Sequence, residues 1–234
     1  MARAKVAYDE KSIKTLDALE HIRLRSGMYI GRLGDGSGPQ DGIYVMLKEV
    51  VDNGIDEFIM GAGKRIEIRR DGAGITIRDY GRGIPLGKLV DCVSQINTGG
   101  KYSDDVFQFS VGLNGVNALS QRFTVTSWRE GKFRRATFSR GKLEADKTGK
   151  DDDTRDGTEV SFEPDPEIFG RFAWNEEFIA DRLRYYAFLN AGLTLEYQGQ
   201  RFVSQGGLAD LLAHEMGGEE PLYPLVHERV ERLE

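Results

Sequence analysis

One helix-length segment collects the side chains best suited to chemistry. With Glu49 at zero on a wheel of about 100° per residue, Asn53 lies about 40° away and Asp56 about 20° to the other side. Asp52 adds a fourth polar group about 60° off. Opposite them, Ile43, Leu47, Val50, Val51, Ile55 and Phe58 form a broad apolar arc that would pack in a core. The polar set is compact enough to hold a ligand, although a solvated helix face would show the same stripe.

A second motif, Asp79-Tyr80-Gly81-Arg82-Gly83-Ile84-Pro85, follows about 30 residues later. A carboxylate at a strand end followed by Gly-x-Gly lets backbone approach a flat ligand, because neither glycine carries a Cβ. A third set, Thr98-Gly99-Gly100-Lys101 and Gly112-Leu113-Asn114-Gly115-Val116, offers backbone N–H groups and one ammonium for phosphate oxygens. It is not a Walker A loop, since no Gly-Lys-Ser/Thr ends it. Asp156-Gly157-Thr158 could bring a hydroxyl to a base edge. Taken singly, the last three are also common turn and loop patterns.

The elements that must carry these groups read as α+β. Helix is expected over 13–25, 42–61, 92–97, 175–189 and 207–216, with Gly-rich loop at 31–41. Strands are expected at 65–70, 75–79, 123–129, 133–138, 158–163, 193–197 and 201–203. The first two form a hairpin about Asp71-Gly72-Ala73-Gly74. Thr98–Gly115 shows no clear period, and the Asp-rich 149–156 reads as a solvated loop. Helices followed by antiparallel hairpins predict a mixed, mostly antiparallel sheet with helices on one face.

Composition narrows the classes. The 234 residues, 39% apolar and 30% charged, suit a globular protein with no run long enough for a membrane helix. A net charge of −6 argues against a domain that holds DNA by itself. One cysteine, Cys92, cannot form an internal disulfide and fits a cytoplasmic location; with three histidines it forms no cluster at metal-ligand spacing. Cys92, Trp128 and Trp174 read as packing residues.

These elements, in this order, resemble the GHKL (Bergerat-fold) ATPases, and most of all the ATPase domain of the B subunit of bacterial type II topoisomerases. The resemblance runs from Ala7-Tyr8-Asp9 to about Gly206. It is carried especially by Arg25–Gly31, Glu49–Glu57, Ser110–Gly115 and Asn117-Ala118-Leu119-Ser120. Leu47-Lys48-Glu49 and Thr98–Tyr102 look more like topoisomerase IV than gyrase.

The resemblance implies a two-layer domain over residues 1–220, including an N-terminal arm, and a boundary segment, 221–234, towards a transducer domain. It implies ATP and Mg²⁺ as cofactors. Glu49 would be the general base for water attack on the γ-phosphate, and Asn53 would bind Mg²⁺. An i, i+4 pair sets their Cβ atoms about 5–6 Å apart, which suits a water beside a phosphate-bound metal. Asp79 would accept from the adenine amino group, with Gly83 and Thr158 holding a bridging water. Arg82, Ile84 and Pro85 would line the adenine side, Arg82 paired with Glu57. Lys101 and the Gly112–Val116 backbone would cover the phosphates, and Arg135 would sit at the mouth, where ATP-site inhibitors bind. Tyr8 and Ile13 match an arm that reaches a second protomer, making an ATP-dependent homodimer. DNA and the DNA-cleaving A subunit would be met through domains outside this chain, and no membrane contact is implied.

The pattern breaks in one place. The family reads Gly-Leu-x-Gly-Val-Gly, then several residues, before Asn-Ala-Leu-Ser, whereas here Val116 meets Asn117 directly. The missing stretch includes the last phosphate-loop glycine, so phosphate binding and turnover are expected to be weak. A deliberate shortening accounts for the gap better than an unusual lineage. The competing expectations are an ATP-gated dimerisation module, a GHKL chaperone and a histidine-kinase catalytic domain. Glu49 argues against the last and the wording around Ser26–Gly31 against the chaperone.

Overall fold

The computed structural model describes residues 17–95 and 112–217, with residues 219, 223 and 226. Two short helices, α1 (Ala18–Leu24) and α2 (Ser26–Ile30), lead into the long α3 (Gly42–Ile59). The hairpin β1 (Arg65–Asp71) and β2 (Gly74–Asp79) follows. After it come α4 (Leu89–Ser94) and α5 (Gly112–Ala118). The sheet continues through β3 (Ser120–Arg129), β4 (Lys132–Ser139), β5 (Lys142–Lys150) and β6 (Gly157–Pro164). The chain then runs through α6 (Pro166–Phe169), α7 (Glu176–Leu189), β7 (Thr194–Tyr197), β8 (Gln200–Phe202) and α8 (Leu208–Glu215).

Among the described residues, eight strands form one sheet in the order β5-β4-β3-β6-β2-β1-β7-β8. Within the described residues only β1 and β7 pair in parallel, so the sheet is mixed and mostly antiparallel, as expected. Strand alternation explains the layering. Ile66, Ile68, Ile75, Ile77, Phe123, Val125, Ala136, Phe138, Val160 and Phe162 are all buried on one face, while Glu67, Arg69, Thr76, Glu159 and Ser161 alternate onto the other.

Helix α3 follows its apolar arc: Ile43, Leu47, Val50, Val51 and Ile55 are buried in the core. Full burial of one such side chain stabilises by about 1.5–3 kcal/mol. That outweighs the roughly 1 kcal/mol cost of Gly54 in the helix interior. The Gly-rich loop before α3 is organised by Asp41, whose Oδ2 accepts from Gly36 N and Gly38 N, both at 3.0 Å. Tyr44 fastens it to the start of α7, donating to Gly36 O (2.9 Å) and accepting from Asn175 N (2.8 Å).

Three expectations change. Within the described residues the first helix begins at Ala18, because Asp17 caps it by accepting from Glu20 N at 2.8 Å. The segment read as aperiodic ends in α5, whose Leu113 and Val116 are buried against the core. Strand β5 was not expected at all. Its run Lys142–Lys150 shows no apolar alternation, because it is an exposed edge strand held by its ladder with β4.

A buried carboxylate ties the front of the chain to α5. Asp165 is fully buried and accepts from Arg23 Nη2 (2.7 Å) and Arg140 Nε (2.8 Å), while Arg23 Nη1 also donates to Ala118 O (2.8 Å) at the end of α5. Burial alone would raise this carboxyl, but the hydrogen bonds from Arg140, Arg23 and Glu167 N outweigh it and hold it below its ordinary 3.8. Asp165→Ala removes the buried acceptor that Arg23 and Arg140 share, leaving Arg23 on Ala118 O and Arg140 on Glu167, and is expected to cost roughly 1–3 kcal/mol in urea denaturation at pH 7. Because the folded-state value is depressed, the parent's advantage is present above pH about 4 and fades as acid protonates the carboxylate.

Candidate functional site

Helix α3 and the end of β2 meet through a glycine. A Cβ on Gly54 would lie 2.8 Å from Ile66 Cδ1 and 3.3 Å from Asp79 Cβ. The contact recurs one turn on, where a Cβ on Gly81 would lie 2.7 Å from Glu57 Cβ. Gly54, on the apolar arc of α3, and Glu57, at its edge, therefore bring the helix against the strand-end carboxylate and the segment after it, at the distance that a missing Cβ permits.

Asp79 is buried, and its Oδ1 accepts from Gly81 N at 2.9 Å and Thr158 N at 3.2 Å. Among the described residues nothing donates to Oδ2. Burial pushes the Asp79 carboxyl above its ordinary value, opposed by those two N–H groups and by the Arg78 charge, while Glu57 adds to the rise. Thr158 thus reaches the site through its backbone, from the start of β6.

Gly83 takes φ +72°, and a Cβ there would meet Trp128 O at 2.5 Å, so the segment after Asp79 lies flat against the end of β3. Ser127 Oγ donates to Ile84 O (2.7 Å), and Pro85 leads into a short 3₁₀ turn, Leu86–Lys88. Arg82 grips Glu57 with a fork: Nε to Oε2 and Nη2 to Oε1, each 3.0 Å. That pairing agrees with the expectation.

On α3, Glu49 is buried and its Oε2 accepts from Gly112 N at 3.0 Å, so the start of α5 sits beside it. Asn53 Nδ2 donates back to Glu49 O (2.6 Å), which commits the amide nitrogen to the helix backbone and leaves Oδ1 as the acceptor. Asn114 is spent structurally: Nδ2 donates to Gln95 O (3.2 Å) and Oδ1 accepts from Gly115 N (2.9 Å). Gly112 to Val116 form the first turns of α5.

Two expected members stand elsewhere. Asp52, counted with the polar stripe, turns to Lys48 Nζ (2.6 Å) and to the Tyr186 hydroxyl of α7. Burial, reinforced by Asp52, raises that hydroxyl well above its usual value. Arg135 donates from Nε to Thr126 Oγ1 (2.9 Å) and alternates onto the sheet face opposite buried Ala136. It is Arg134, one residue earlier, that reaches the turn after Pro85, with Nη1 to Leu86 O at 2.7 Å and a fork to Asp146. Lys101, Tyr8 and Ile13 lie outside the described residues. Cys92 is half-buried and burial raises its thiol, in keeping with a packing role.

Residues 38–168 match the family described as Histidine kinase-, DNA gyrase B-, and HSP90-like ATPase, and the chain belongs to that family. Within it, the chain is an ATPase domain of the kind found in the B subunits of type II topoisomerases. It is 56% identical to the B subunit of DNA topoisomerase 4 from Borreliella burgdorferi over 97% of its own length and 39% of that protein's. It is 35% identical to the B subunit of DNA gyrase from Thermus thermophilus over 93% of this chain and 37% of the relative. A crystal structure of the 43K ATPase domain of Thermus thermophilus gyrase B in complex with an aminocoumarin superposes with TM-score 0.75 at 33% identity, covering 88% of this chain and 57% of that one. The chain thus spans about two-fifths of the length of its curated relatives.

The seam between β2 and β6 depends on Gly157, at φ +134°, where a Cβ would lie 2.3 Å from Asp79 O. Gly157→Ala must push these backbones apart and break the Thr158 N bond to Asp79. We expect at least a tenfold loss of ligand affinity in calorimetric titration, roughly the value of one hydrogen bond to a charged group. The melting temperature should fall as well.

Proposed function

We propose that this chain binds ATP with Mg²⁺ and serves as the ATP-operated part of the B subunit in a type II DNA topoisomerase. The observation that supports the reading best is the meeting of α3, the helix that carries Glu49 and Asn53, with the end of β2, where Gly54 lies against Asp79 and Glu57 against Gly81. The Oδ2 of Asp79 would accept from the adenine amino group while Oδ1 stays fixed by Gly81 and Thr158. Gly83, Ile84 and Pro85 would line the base, with Arg82 clamped on Glu57 at the edge.

Glu49 would take the proton from the attacking water, its carboxylate oriented by Gly112 N. Asn53 fits Mg²⁺, because its amide nitrogen is committed to Glu49 O and its oxygen is left as an acceptor. Bound there with phosphate oxygens and water, the ion would neutralise charge on the phosphates. Lys101 and Gly112 to Val116 would contact the phosphates, and Arg134, which reaches the turn after Pro85, would take the place expected of Arg135 beside a ligand larger than ATP.

In the complete protein, Tyr8 and Ile13 would reach a second protomer when ATP is bound, making a homodimer. DNA and the A subunit would engage parts of the relatives' length beyond this chain, in the cytoplasm. The direct join of Val116 to Asn117 favours slow turnover, so nucleotide-gated dimerisation is the second reading. Dimer formation titrated with a non-hydrolysable ATP analogue, alongside turnover, separates the two.

The test is a pair of variants probed with an aminocoumarin and with ATP. Asp79→Ala is expected to lower the affinity for both by at least a hundredfold. Glu49→Ala should leave probe affinity within about threefold of the parent while removing residual turnover by about 10²-fold or more. Parental binding by Asp79→Ala would end the adenine assignment, and rapid hydrolysis by the 234-residue parent would end the slow-turnover reading.

A further inference from the structure

On the reverse face of the sheet, directly behind Asp79, a guanidinium is buried between two aromatic rings. Arg78 is only 4% exposed. Its Cζ lies 4.3 Å from the centre of the Trp128 ring and 4.9 Å from that of Tyr80. Its Nη2 donates to Arg155 O at 2.6 Å, and Nη1 has no hydrogen-bond partner among the described residues. The rings are themselves pinned, Tyr80 by its hydroxyl to Glu67 Oε1 (2.7 Å) and Trp128 by Nε1 to Asp151 Oδ2 (2.9 Å).

These contacts join the segments that form the candidate base site. Arg78 and Tyr80 flank Asp79 at the end of β2, Trp128 closes β3, and Arg155 precedes the Gly157-Thr158 start of β6. A Cβ on Gly157 would lie 2.7 Å from Arg78 Nη1, so the guanidinium fills the space under the Asp79–Thr158 hydrogen bond.

Stability alone is a poor account of this arginine. Among the described residues it makes no ion pair, and burial lowers its pKa, the mark of an unfavourably desolvated cation. An apolar side chain of similar length would fill the slot at no such cost. The cation adds a planar stack spanning two strand ends, a donor that fixes the loop before β6, and a positive charge behind a buried carboxylate. The charged groups around it are Asp79 on its own strand, Glu159 on β6 and Glu67 on β1, while Glu57 of α3 faces Asp79 from the other side.

We propose that Arg78 is a positioning residue for adenine recognition, acting through Asp79 and Thr158 from the opposite face of the sheet without touching the nucleotide. This rests on the proposed adenine role of Asp79. It follows that Arg78 sets selectivity for the purine's amino group more than general affinity.

The experiment compares ATP with purine riboside triphosphate, which lacks the exocyclic amino group, each titrated directly by calorimetry. Parent, Arg78→Met, Arg78→Lys and Asp79→Ala are titrated, with thermal melts recorded for each. The parent should prefer ATP by roughly ten- to a hundredfold, the worth of one hydrogen bond to a charged acceptor. Arg78→Met, which keeps the length and loses plane, donor and charge, should cut that preference to within about threefold. Arg78→Lys should retain an intermediate preference.

A merely structural role would weaken both nucleotides alike, and an unchanged ratio in Arg78→Met overturns the proposal. If Arg78→Met does not fold, Arg78→Lys decides: a reduced ratio supports the role and a parental ratio overturns it. If Asp79→Ala keeps the preference, the adenine reading itself falls and Arg78 with it. Loss of the preference in Asp79→Ala beside a parental ratio in Arg78→Met removes Arg78 alone.

Discussion

The site depends on how closely a helix can approach the end of a strand. Gly54 lets α3 lie against Ile66 and Asp79, and Gly81 lets the chain after Asp79 pass under Glu57. A side chain at Gly54 would push α3 off Ile66 and Asp79, and one at Gly81 would push the chain after Asp79 off Glu57. The apolar arc of α3 supplies the force that holds the two together, and the glycines set the distance at which they stop. The proposal that Glu49, Asn53 and Asp79 act on one ligand requires that close approach.

The second constraint is the seam between β2 and β6. Antiparallel pairing runs from Ile75↔Phe162 to Arg78↔Glu159, and beyond its end the backbone N–H of Thr158 turns to the Asp79 carboxylate. The site-facing side of the seam carries Asp79, and its reverse carries Arg78 between Tyr80 and Trp128. Strand alternation makes such two-sided construction natural, because adjacent residues face opposite ways. A single dipeptide can then present a ligand group on one face and its support on the other.

Much of this was legible in the sequence. The wheel of α3, the β1–β2 hairpin and the Asp79 motif carry strong local signals, since each combines a period with glycine punctuation. The Arg82–Glu57 pair was readable only from the resemblance, because no local rule joins residues 25 apart. Strand β5 was illegible because an edge strand needs no apolar alternation, and its Lys, Asp and Glu content resembles a loop. Asp52 was misplaced because a wheel gives direction about an axis and not the neighbour waiting there, which is Tyr186 of α7. Trp128 was read as a packing residue, which its burial supports, but its cationic partner was hidden. The alternation Ile75-Thr76-Ile77-Arg78 does send Arg78 away from the core, and a charge in that position next to a motif aspartate was the available clue.

The central claim is that Asp79 and the polar face of α3 serve one nucleotide. A crystal structure of this chain with an adenine nucleotide analogue and Mg²⁺ tests it most directly. The account predicts the exocyclic amino group within hydrogen-bond distance of Asp79 Oδ2, the phosphates on the Asn53 side, and Oδ1 still held by Gly81 and Thr158. A base bound elsewhere, or phosphates directed away from α3, would contradict it.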